Sequence, residues 1–153
     1  MSVLARNRSL SKLEFYTTAI ELRKKVTKNL LINFHVKMKK DEAMDEFSAW
    51  LILKLRNSMY DILHDLVLNI TRAYTIWATN LSEANERRNA QNRAIADCES
   101  ILKELEYAYE VLPVNAERYM AYVEMVEKEI ALIKGWRKSD NKRFKSLMCK
   151  GNS

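Results

Sequence analysis

The chain has 153 residues, 26 Lys plus Arg against 20 Asp plus Glu, a net charge of +6, and 48% apolar residues. That is one domain's length with enough apolar content for a packed core. With only 2 Gly and 1 Pro, it excludes β-sandwiches and doubly wound folds, which need many tight turns, and collagen-like or Gly/Ser-rich disordered chains.

Four helices follow in chain order. The first is expected over residues 12–34. Ser11 and Glu14 have capping-box spacing, and Leu13, Tyr16, Ile20, Thr27, Leu30 and Phe34 recur every three or four positions. The opposite face carries Arg23, Lys24, Lys25 and Lys28. A polar connector with Lys37, Lys39 and Lys40 leads to a second helix, near 42–78, whose start falls between Asp41 and Ser48. Its stripe is Met44, Phe47, Leu51, Leu55, Ile62, Leu66, Ile70, Ala73 and Trp77.

No Gly or Pro separates the second helix from the third, so the break is read from caps. Asn80 and Glu83 repeat the capping-box spacing, which starts a third helix over 81–111. Its stripe is Leu81, Ala84, Arg88, Gln91, Ile95, Cys98, Leu102, Leu105 and Tyr109. Pro113 ends it. Asn115 caps a fourth helix over 116–134, and Gly135 is expected to end it with a left-handed residue. The expectation is an all-α, antiparallel, up-down-up-down four-helix bundle over 1–135, followed by a basic, poorly structured tail over 136–153. Phe15, Leu22, Tyr122 and Leu132 are read as surface-type apolar residues that favour self-association.

No apolar run nears the ~18 residues of a membrane span. The N-terminus lacks a signal peptide's apolar stretch, and Cys98 and Cys149 make no disulfide framework. A reduced, cytoplasmic protein with no membrane partner is expected. Catalytic signals are weak. His35 sits at a helix end and His64 lies beside Asp61 and Asp65, without metal spacing. Phosphate loops, nucleophile elbows and dinucleotide fingerprints are missing. No enzyme, metal or cofactor is expected.

Charge is uneven along the chain. Residues 1–40 carry net +8, residues 41–78 and 79–112 carry −3 each, and residues 113–153 carry +4. A basic surface attracts polyanions by counterion release, although it is also what a merely soluble protein shows. Arg88, Gln91 and Asn92 interrupt the third stripe, beside Arg87 and Arg93. Three readings stay open. The stripe rotates and leaves them in water, or they join a buried polar network, or they face an interface or ligand. Tyr107, Tyr109, Tyr119 and Tyr122 cluster around Pro113, as a packed corner or as a stacking platform.

Three stretches stand out together. They are Arg8–Tyr16 leading to Ala19-Ile20-Glu21-Leu22-Arg23, Asn85-Glu86-Arg87-Arg88 leading to Arg93–Cys98, and Leu112-Pro113-Val114 through Gly135-Trp136-Arg137-Lys138 to Lys142. With the four-helix plan they resemble the accessory variability determinant proteins of diversity-generating retroelements. Those are similar to the four-helix-bundle proteins of 23S rRNA intervening sequences. The resemblance implies a non-catalytic, ring-like pentamer that binds a reverse transcriptase and its template RNA and supports mutagenic cDNA synthesis. The alternative is a protein–protein interaction module with no direct nucleic-acid role. The candidate nucleic-acid-binding residues are Arg23, Lys24, Lys25, Lys28, Lys37, Lys39, Lys40, Arg87, Arg88, Arg137, Lys138, Lys142, Arg143 and Lys145.

Overall fold

The computed structural model describes Leu10, residues 12–38 and residues 42–150, with side chains described as far as Leu147. The Ser11 cap and the candidates Lys39 and Lys40 lie outside the described residues. The described chain is helical, with four long helices packed against one another. α1 is Glu14–Lys25, continued by a π-helical turn Val26–Leu30. α2 is Glu46–Thr75, α3 is Leu81–Val111, α4 is Ala116–Arg143, and a short α5 is Lys145–Lys150.

The internal helix starts follow local chemistry. Asp45 caps α2, its carboxylate accepting from the Ser48 N–H at 2.8 Å and from the Ser48 hydroxyl at 2.8 Å. That start lies within the expected interval. Asn80 caps α3 by accepting from the Glu83 N–H at 2.9 Å. The Glu83 carboxylate reaches back one residue further than a capping box requires, to the Thr79 N–H at 3.1 Å and the Thr79 hydroxyl. Asn115 caps α4 through the Glu117 N–H at 3.0 Å. The break between α2 and α3 falls at Ile76–Asn80, so the region 70–90 is two helices.

Two helix ends are corrected. The first helix, expected to residue 34, is helical only to Leu30, because the chain turns at the left-handed Phe34 and His35. α4 does not stop at Gly135. It runs on to Arg143, and Gly135 has no positive φ. Residues 136–143, expected as part of a poorly structured tail, are therefore helix. Packing overrides the local stop signal: Trp136 stacks on Phe15 with ring centroids 4.0 Å apart, and Asp140 and Phe144 are buried.

Another correction concerns surface residues. Phe15, Leu22 and Tyr122 are buried and Leu132 is half-buried. The exposed large apolar residues instead include Phe47, Trp50, Leu53, Tyr60 and Leu68, all on α2. The stripe read for α2 joined two faces, because Leu51, Leu55, Leu66 and Ile70 are buried while Phe47 is exposed.

At one end of the molecule the chain after α1 is pinned to the α3–α4 turn. Val36 bridges Val114, and the Lys37 N–H donates to the Pro113 carbonyl at 2.7 Å. Phe34 and His35 both adopt left-handed backbone, at φ 53° and 54°. Non-glycine residues pay for that geometry, so surrounding contacts must hold it. The Tyr119 hydroxyl donates to the Phe34 carbonyl at 2.9 Å, and the His35 N–H donates to the Asn33 side chain at 3.0 Å.

Gly135 supplies a direct test of the longer α4. A Cβ built there meets no atom within 4 Å. Gly135→Ala should raise stability by about 0.5–1 kcal/mol in urea unfolding, because helix-interior Gly costs that much relative to Ala. A left-handed terminator would lose stability instead.

Candidate nucleic-acid interface

The candidate cations divide by burial. On α1 and the π-helical turn that continues it, Lys24, Lys25 and Lys28 are exposed, whereas Arg23 is half-buried against α2. Its guanidinium lies 3.3 Å from the His64 Nδ1 and 5.8 Å from the Tyr60 ring centre. Lys37 is exposed. It lines a polar cleft of about 250 Å³ with Asn33, His35, Val36, Asn115 and Arg118. The His35 ring meets the Tyr122 hydroxyl at 2.9 Å through Nε2 and Arg118 at 3.4 Å through Nδ1. Burial, helped by the Arg118 charge, holds His35 below the ordinary imidazole value.

Near the end of α4, Lys138, Lys142 and Arg143 are exposed, as is Lys145 at the start of α5. Arg137 is half-buried and donates to the Asn92 side chain at 2.8 Å. Arg143 stacks over the Trp77 ring at 5.2 Å, and Arg88 is exposed on α3.

Arg87 is removed from any such surface. It is 4% exposed, and each of its three guanidinium nitrogens donates a hydrogen bond inside the protein. Nε and one terminal nitrogen donate to the two Asp140 oxygens at 2.6 and 3.1 Å, a bidentate pairing. The other terminal nitrogen donates to the Ile76 carbonyl at 2.8 Å. Trp77, Trp136 and Phe144 surround the cation, with ring centres 5.9, 5.3 and 5.6 Å away. Gln91 adds a 2.6 Å hydrogen bond to Asp140.

The interrupted stripe on α3 thus resolves in two parts. Gln91 joins a buried polar network, while Arg88 and Asn92 face outward. The true inner face is one residue out of phase with the expected one near Arg88. It runs through Ala84, Arg87, Ala90, Gln91, Ala94, Ile95, Cys98, Ile101, Leu105 and Ala108. Of the tyrosines near Pro113, Tyr119 and Tyr122 are packed inward, and Tyr107 and Tyr109 are exposed.

Sequence reasoning left out Arg56, Arg118 and Lys54. Arg56 holds the end of the α1 segment by donating to the Leu31 and Ile32 carbonyls at 2.8 and 2.7 Å. The cap at Asn115 was the available signal for Arg118, three residues inside α4. Among the described residues, no group of three His, Cys, Asp or Glu side chains is placed to hold a metal ion. No described helix is long and apolar enough to cross a membrane. No family model, curated protein or solved structure matches the chain.

Deep in the bundle, Glu129 is fully buried, and neither carboxylate oxygen has a hydrogen-bond partner among the described residues. Burial pushes its pKa up to about 8, with Lys128 opposing and Glu14 adding to the rise. The same surroundings push the buried Cys98 thiol up, burial first and Glu129 next.

Two measurements check these interior charges. Asp140→Ala leaves Arg87 buried without its carboxylate and should cost roughly 3–5 kcal/mol. An Asp140 that projected from an unstructured tail would cost almost nothing. Glu129 binds its proton more tightly folded than unfolded, so its contribution is full below pH 4.5 and is lost as pH rises through about 8. Thermal melts of Glu129→Gln should therefore gain on the native chain as pH climbs through that window, and a constant difference from pH 4 to 9 would contradict the burial of the carboxyl group.

Proposed function

We propose that this chain is a non-catalytic accessory protein that binds nucleic acid through phosphate contacts. Following the resemblance, it serves the reverse transcriptase of a diversity-generating retroelement in the cytoplasm and supports template-RNA-dependent, mutagenic cDNA synthesis. One observation carries the nucleic-acid part. Lys24, Lys25 and Lys28 on α1 and Lys138, Lys142, Arg143 and Lys145 near the other end of the chain are exposed, and none is ion-paired among the described residues. Apart from Arg143, which rests over the Trp77 ring, these cations stand in water without an ionic partner, and each phosphate they neutralise releases a counterion. Such contacts position a nucleic acid without reading its sequence.

The same reading takes the helices as an antiparallel, up-down-up-down bundle. Phe15 near the start of α1 stacks on Trp136 late in α4, whereas Phe34 and His35 beyond its end meet Tyr119 and Tyr122 early in α4. Arg23 meets His64 while Arg56 meets Leu31, so α2 runs back along α1. Self-association, five copies by the resemblance, agrees with the exposed Phe47, Trp50, Leu53 and Leu68. Those residues equally favour the second reading, an interaction module whose partner is another protein.

Titrating a labelled structured RNA at about 50 and about 200 mM salt separates the two. Affinity should fall steeply with salt. Replacing Lys24, Lys25 and Lys28 by Gln should lower the log–log salt slope by roughly 2–3 with helicity unchanged, as three lost phosphate contacts require. An affinity indifferent to salt and to these replacements leaves the interaction module as the function.

A further inference from the structure

Between the segment that continues α1, residues 27–32, and α2 lies an open groove of about 520 Å³, lined by Thr27, Leu31, Ile32, Arg56, Asn57 and Tyr60. Two walls of it are apolar and exposed: Ile32 at 64% and the Tyr60 ring at 46%. The exposed isoleucine and the half-exposed tyrosine face one groove and offer it an apolar surface and an accessible ring. The charge around the groove selects its chemistry. Arg23 stands 5.8 Å over the Tyr60 ring, Arg56 is held at the groove by the Leu31 and Ile32 carbonyls, and Lys24 and Lys28 are exposed beside Thr27. Of the α2 acids, Asp65 lies toward α3, where it adds to the burial that raises the Asp97 pKa, whereas Asp61 stays exposed one turn from Asn57. The groove therefore has a basic border along α1, while its polar lining, the Thr27 hydroxyl and the Asn57 amide, supplies donors and acceptors.

A purely apolar helix would strip water from Arg23 and Lys24 without compensation. A flat, hydrogen-bonding ring attached to an anionic backbone satisfies every feature at once. We infer that the α1–α2 groove takes an unpaired base of single-stranded nucleic acid, stacked on Tyr60, with its phosphates on Arg23, Lys24 and Lys28. This rests on the nucleic-acid reading and deepens it: the ligand is unpaired strand, not duplex. In a duplex the bases are already stacked and cannot enter the groove, whereas splayed bases of single strands stack on aromatic side chains.

The test uses the full chain, a short labelled oligouridylate and a blunt RNA duplex, with anisotropy read at about 50 mM salt. Tyr60→Leu removes the ring and leaves every charge in place. Oligouridylate affinity should drop by about 5- to 100-fold, the worth of one base–aromatic stack. Duplex affinity should stay within about twofold and Tyr60→Phe should restore the single-strand affinity, because backbone contacts and the ring are respectively untouched. Helicity by circular dichroism confirms that the variants fold. If Tyr60→Leu weakens both ligands equally, or neither, the groove is not a base site although the nucleic-acid reading stands. If the native chain binds neither ligand, that reading fails and takes the groove with it. If Tyr60→Leu instead lowers the mass in light scattering with nucleic-acid binding intact, the groove belongs to a second copy.

Discussion

The Arg87–Asp140 pair is the constraint on which one whole end of this molecule depends. A guanidinium that is 4% exposed has to find a partner for its charge, since an unmatched buried charge costs several kcal/mol. Asp140 supplies two acceptors, and the Ile76 carbonyl at the end of α2 supplies a third. The rings of Trp77, Trp136 and Phe144 exclude water and offer their negative faces to the cation. One side chain on α3 thereby fixes the α2–α3 turn, the last two turns of α4 and the residue that leads into α5. Asp140 can reach Arg87 only if α4 stays helical past Gly135, so the ion pair and the helix extension are a single fact.

The opposite end is held by different means. There the backbone does the work, through the Val36–Val114 bridge and the left-handed Phe34–His35 pair. Tyr119 and Tyr122 hold that pair through their hydroxyls. The strained pair turns the chain sharply from the α1 segment toward the α3–α4 turn. Burying Phe34 completely offsets part of the strain. The bundle is thus closed by a charge cluster at one end and by a packed corner at the other.

What the sequence made legible was what depends on neighbours in the chain. The caps at Asn80 and Asn115 act over two or three residues, and α3 lies over the expected span of 81–111. Gly135 was misread because the stop signal is also local, while the force that overrides it comes from Arg87, more than forty residues away. The inner face of α3 was misphased because much of it is alanine. Ala90, Ala94 and Ala108 give close helix approach and little hydrophobic signal, so Arg88, Leu102 and Tyr109 were read one residue past Arg87, Ile101 and Ala108, while Ala84, Gln91, Ile95, Cys98 and Leu105 lie on the inner face as expected. On α2, exposed Phe47 and Trp50 beside buried Leu51 and Ile52 show the converse problem. Periodicity finds an apolar face but does not say which of two such faces is covered. The candidate cations were readable as charges, and only the fold could divide Arg87 from Arg88.

The interior charges also shape the surface. Arg87 and Asp140 cancel, so their burial removes nothing from the net charge. Glu129 is different. With its pKa lifted to about 8 it holds a proton at neutral pH, and the folded chain is about one unit more positive than the formal +6. The acidic groups taken inside are neutralised, by an arginine or by a proton, while the lysines of α1 and of the end of α4 stay in water. Core packing and polyanion attraction are therefore linked through Glu129, whose burial as an acid removes one negative charge that would offset the exposed cations.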